Sequence, residues 1–344
     1  MKAAEDTPCP CPFVFFKEYT PHAPPRPASP LPPAERALPA VQAKLWMPVT
    51  REGGFLEGAQ FERSGSLLVC DMQARSVLRI APDGSTLRTA LQFDEWRPSG
   101  PALLADGRLL TAASDWRGSG AILAVNADGS TSTIVGKDAG YVPNDLAPGA
   151  GGGLYFSCSR GAPGQPAGGV YYLAPDMHIT PIIPNMNVAN GVALSPDGSV
   201  LWATEYGRAL LHRVELDGAT GVRPFGASTP WHFSGAKGPD SMRVDAQGNV
   251  YVALYGQGRV LIFNPQGIPV GQVLLEGRDA GRYLLSSSLA IAPSTAEMYI
   301  AASSEDGASA IFRAPALAPG LPAAADAPAQ KSPETPDPAK RNQP

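Results

Sequence analysis

The sequence is short of charge, cysteine and histidine, and each shortage removes a class of function. Charged residues make up 17% of 344 positions, against about 25% in an average soluble domain, and the formal net charge is −4. No Lys/Arg-rich run occurs, so a nucleic-acid partner has no electrostatic footprint here. Nor does any apolar run reach the roughly 18 residues of a membrane span. The start, MKAAEDTPCPCPFVFF, puts acids and prolines where a secretory signal carries a basic end and an apolar core. The expectation is a soluble, cytoplasmic chain with no membrane partner. Four cysteines are too few for a disulfide framework at this length. Cys9 and Cys11 lack a second pair of zinc ligands, while Cys70 and Cys158 sit in strand-like runs as small apolar residues. His22, His178, His212 and His232 form no His-Glu-x-x-His pair, and no nucleophile-elbow motif accompanies them. The run GAGGG at 149–153 lacks a following Gly-Lys-Ser/Thr and reads as a turn, not a phosphate loop.

Helical periodicity is missing too. In its place stand 37 glycines and 37 prolines, far above a usual joint share of about 12%. Residues 1–41 and 319–344 are rich in Pro and Ala, have little to fill a core, and are expected to be extended or disordered. Between them, over 42–318, one strand-then-turn phrase recurs: SVLRIAPDG, AILAVNADG, GVYYLAPDM, LLHRVELDG, RVLIFNPQG and a weaker SAIFRAPAL, ending at 84, 129, 177, 218, 267 and 317. A second β-type phrase precedes each copy, from SLLVCDM to EMYIAAS. The period leaves room for about four strands of 5 to 6 residues per unit. Six such units without helices to cover a sheet predict an all-β, six-bladed β-propeller with four-stranded blades. Two packed β-sandwiches are the competing architecture, and the regular period counts against them.

About ten residues upstream of the second phrase, where the innermost strand of each unit begins, lies a column of oxygen-bearing side chains: Glu57, Ser99, Asn144, Asn190, Asp240 and Ser287. Turn chemistry accounts for Ser, Asn and Asp at such places, and the pair Asn190-Gly191 alone reads as a hairpin turn. It accounts poorly for Glu57. In a propeller this column surrounds one end of the central channel, where two uncompensated carboxylates would cost several kcal/mol. A divalent cation removes that cost, and oxygen donors without His or Cys favour calcium. Asp145 and Glu205 are neighbouring candidates, or satisfy backbone turns.

These residues, with GGVYYLAPD, TPIIPNMNVANGVALSPDGSVLWATE, GPDS and YGQGRVLIFNPQGIPVGQVLLEGRDAGR, resemble the SMP-30/gluconolactonase/luciferin-regenerating-enzyme-like family over residues 42–315, and within it the drug-responsive bacterial lactonases. The resemblance implies hydrolysis of a small lactone, with Glu57, Asn144, Asn190 and Asp240 as ligands of a catalytic calcium, Ser241 as a neighbouring ligand and Asp240 as acid/base. A phosphotriesterase, or a non-catalytic binding propeller with structural calcium, are the alternatives. Four departures bear on the site. Asn144 stands where that branch carries Asp, EGAQF replaces Glu-Gly-Pro followed by Trp, and Ser288 takes the place of a His. Segments matching a second, structural calcium keep Gly120 and Tyr141 but lack an acidic ligand.

Overall fold

The computed structural model describes residues 30–104, 106–126, 129–162 and 164–321. Cys9, Cys11, His22 and most of the two Pro-rich ends lie outside the described residues. Those described are all-β, with helix confined to short 3-10 turns such as Lys137–Ala139 and the Ala150–Gly152 turn within GAGGG. No described helix is long and apolar enough to cross a membrane.

The repeated phrases become hydrogen-bonded meanders. Four sheets run in sequence order, each of four antiparallel strands. Their first strands are Leu56–Phe61, Arg97–Leu103, Pro143–Pro148 and Ala189–Leu194. The next meander, Pro239–Val244 to Pro269–Leu275, shares one eight-stranded sheet with the last, Leu285–Ile291 to Ser309–Pro315. The join is the N-terminal strand Ala40–Thr50. Its Ala40–Ala43 half pairs parallel with Gln272–Leu275, and its Lys44–Thr50 half pairs antiparallel with Ser309–Arg313. Each end of the fold thereby covers an edge the other would expose.

First strands pack on one another in chain order, and Leu285–Ile291 packs back on Leu56–Phe61, so they close a ring. Apolar residues fill the space between successive meanders. Tyr251, Val260, Leu289, Ile300 and Phe312 form one such cluster, and Met186, Val192, Leu201 and Val214 another. A fully buried Leu or Phe contributes about 1.5–3 kcal/mol, so these layers set the spacing of the first strands. Cys70 and Cys158 are buried in their strands as small apolar residues.

The folded unit extends past the expected limits of 42 and 318. Residues 30–41, expected within an extended or disordered segment, hold a buried Glu35 and the start of the N-terminal strand. At the other end Pro319 O accepts from Ala246 N–H, and Gly320 bridges Asp245. Composition hid both because each contact is made with a distant part of the chain.

Candidate active site

The first strands share one irregularity. Regular pairing with the second strand breaks between Glu57 and Ala59, Pro98 and Gly100, Pro143 and Leu146, Ala189 and Val192, Pro239 and Met242, and Ser286 and Ser288. Ser99, Asn144, Asn190, Asp240 and Ser287 fall within their strands' breaks, and Glu57, paired with Cys70, borders its own. A bulge leaves a residue outside the ladder and re-aims its side chain, so one local device recurs around the ring.

The pair Asn190-Gly191 answers to this geometry and turns no hairpin, since both residues lie inside Ala189–Leu194. A Cβ on Gly191 would stand 2.8 Å from Met242 N and 2.9 Å from Asp240 O. Gly58, with φ +44°, faces Ser99 O of the next sheet in the same way. Glycine at 191 is what lets the Asp240 backbone come close. Gly191→Ala is expected to cost about 1–3 kcal/mol by overpacking, read in a denaturant titration, and to lower kcat/KM by displacing Asp240.

The column divides according to how its oxygens are used. Ser99 Oγ donates to Asn144 O at 2.8 Å, and Ser287 Oγ donates to Leu56 O at 2.6 Å, so both hydroxyls are spent on main chain. Asn144 Oδ1, Asn190 Oδ1 and Asp240 Oδ1 are buried and accept no hydrogen bond. Glu57 accepts only a long one, 3.4 Å, from Gly58 N–H. The main chain behind them is fixed: Thr204 Oγ1 donates to Asp240 O at 2.7 Å, and Ser157 Oγ donates to Asn190 O. Ser241, the next residue, is also buried.

Electrostatics single out the two carboxylates. Burial, then the charges of Asp240 and Asp145, hold the Glu57 carboxyl well above its ordinary pKa. Burial also raises Asp240 strongly, against hydrogen bonds from the Asn190 side chain and Ser241 N–H. Among the described residues no three His, Cys, Asp or Glu side chains gather as a metal site. Here the donors are two carboxylates and two amide carbonyls with unmet acceptor capacity, a set that fits a hard cation such as calcium.

Arg243 is the residue that the sequence left unread. From Pro239–Val244 its Nη1 reaches Asp145 Oδ2 at 3.0 Å, and its Nη2 donates to Ala59 O at 3.1 Å. One guanidinium thus ties three first strands together and compensates a fully buried carboxylate. Glu205 and His212 are also paired, Oε2 to Nε2 at 2.9 Å, while Glu205 Oε1 accepts from Asn187 N–H at 2.7 Å. Burial opposes the Glu205 charge, yet these bonds outweigh it and hold its pKa below the ordinary value. Ser288 Oγ accepts from Ala59 N–H at 3.1 Å. Tyr141 packs edge-on against Phe156 and Tyr171.

A family model described as SMP-30/Gluconolactonase/LRE-like region matches residues 51–303. Lactonase drp35 of Staphylococcus saprophyticus is 40% identical over 300 residues, covering 85% of this chain and 92% of its own. The protein of that name from Staphylococcus aureus USA300 is 39% identical over 273 residues, covering 78% and 84%. Among solved structures, a luciferin-regenerating enzyme superposes with a TM-score of 0.66 at 19% identity, over 80% of this chain and 98% of that one. Regucalcin from Agrobacterium tumefaciens, described as a calcium-binding protein, superposes with a TM-score of 0.66 at 18% identity, over 82% and 98%.

Proposed function

The chain belongs to the SMP-30/gluconolactonase/LRE-like family, and we propose that it is a calcium-dependent lactonase built as a six-bladed propeller with its site in the central channel. The closed ring of first strands supports the propeller, with the N-terminal strand completing the last blade. One observation carries the site: of six equivalent positions at or beside the strand breaks, the four bearing Glu57, Asn144, Asn190 and Asp240 keep oxygens that the fold does not spend. Glu57, Asn144, Asn190, Asp240 and Ser241 are the residues that would hold the ion.

Calcium held by these residues would supply positive charge to offset the negative charge that develops on a lactone carbonyl oxygen. The remaining chemistry belongs to the chain. Asp240 takes a proton from water as the water oxygen bonds to the acyl carbon. When the bond from that carbon to the ring oxygen breaks, Asp240 returns the proton to the departing oxygen, and the product is the open hydroxy acid. Asn190 and Ser241 N–H favour the ionised Asp240 carboxyl that accepts the proton, and Arg243 pairs with Asp145 beside it.

A panel of aryl and sugar lactones, with a phosphotriester alongside, tests the reading. Turnover of at least one lactone to its hydroxy acid is expected. Phosphotriester turnover alone would reassign the reaction, and no turnover of either by folded protein would leave a binding propeller.

A further inference from the structure

Far from the channel in sequence, a buried ionic network runs from the N-terminal segment to the loop that delivers Asp240. Arg259 is fully buried, and its Nη2 lies 2.5 Å from Glu35 Oε2, itself buried. The same guanidinium donates from Nε at 2.9 Å and Nη2 at 2.8 Å to Gln257 Oε1, and from Nη1 at 3.1 Å to Gln272 Oε1. Gln272 Nε2 donates in turn to Glu35 O at 2.9 Å, so Glu35 is gripped by side chain and main chain together.

The consequence lies in which way Gln257 faces. Arginine is a donor only, so its fork admits the Gln257 amide in one orientation, oxygen inward. The amide nitrogen is then turned outward, where it donates to Ser234 O at 3.1 Å and Ala236 O at 3.0 Å. Gly235 lies flat on that amide, because a Cβ there would stand 2.9 Å from Gln257 Oε1. The pinned residues lead through Lys237, held at φ 59°, to Gly238 and Asp240. Gly238 O accepts from Tyr255 N–H at 3.1 Å, two residues before Gln257. Glu35 supplies the anion that keeps the fork in place. Without it Arg259 would sit buried near a second cation, Arg278, whose own carboxylate partner Asp279 is exposed.

We propose that Glu35 is a positioning residue, acting through Arg259 and Gln257 on segment 234–238, so that the chain preceding the first strand controls how Asp240 is presented. This rests on the lactonase reading of the channel site.

The test uses the full chain with Glu35→Gln, Gln257→Glu and their combination. Gln257→Glu keeps an acceptor for Arg259 but loses both donors to the loop, which separates the loop link from charge compensation. Glu297→Gln, breaking the partly exposed pair with Arg313, serves as control. Each single variant is expected to lower kcat on a lactone from the panel about tenfold with KM within about twofold. Amide exchange at Tyr255, whose N–H donates to Gly238 O of the loop, should quicken about tenfold. The combination should be no worse than the poorer single variant, and the control should match the parent. Wild-type exchange at Tyr255 in folded Gln257→Glu would overturn the proposal, and this variant decides should Glu35→Gln fail to fold. A parent protein that turns over no lactone would remove the lactonase reading, while the exchange measurement, needing no substrate, still decides the loop linkage.

Discussion

Asp240→Asn is expected to lower kcat for lactone hydrolysis by about 10³-fold while leaving the fold intact. The change is nearly isosteric at a side chain only 1% exposed, and the main chain there is held independently by Thr204 Oγ1. What is lost is the group that accepts and returns the proton. Stability should move the other way. The carboxyl is buried beside Glu57 and Asp145, and burial opposes its charge. Removing that charge relieves repulsion, so in chelator the variant should melt no lower than the parent. A melting curve beside a lactone assay separates the outcomes. Unchanged turnover would show that the proton is handled elsewhere, and lost turnover with a collapsed melting point would make Asp240 structural.

The repeat and its column were legible because each unit carries its own signal: a β-type phrase, a turn, and an oxygen side chain before the first strand. Six strand breaks at or beside that column explain why spacing alone found it. Spacing could not separate Ser99 and Ser287 from the other four, because whether a hydroxyl is spent depends on a carbonyl in the neighbouring sheet. The same limit hid Arg243, whose partners Asp145 and Ala59 lie 98 and 184 residues away. Glu35 was concealed more thoroughly. Its surroundings, PLPPAERALPA, look like a solvated segment, and only Arg259 gives the acid a reason to be buried. Asn190-Gly191 misled in the opposite direction. Its glycine serves a close approach between sheets, which the dipeptide does not distinguish from a turn.

Chelation is expected to lower lactone turnover at least about 100-fold and restored calcium to recover it, since the charge stabilisation at stake is several kcal/mol. The effect of calcium on stability should also depend on pH, with a definite sign. In the metal-free fold Glu57 and Asp240 have pKa values raised well above 4.5 and 3.8. Between those ordinary values and the raised ones, the folded state holds more protons than the unfolded state. Metal-free stability therefore falls as pH climbs through that window. Calcium requires the carboxylates ionised, so its binding must release protons there and strengthen as pH rises. At a free concentration of 1,000 times Kd, the stabilisation is about 4.1 kcal/mol. Kd itself falls with rising pH, so the gain in melting temperature at fixed calcium should grow as pH climbs through that window. Calorimetry in two buffers of different ionisation enthalpy measures the released protons directly. A calcium-induced shift that stays constant across this range, with no proton release, would place the ion away from Glu57 and Asp240. The four unspent oxygens would then need another explanation.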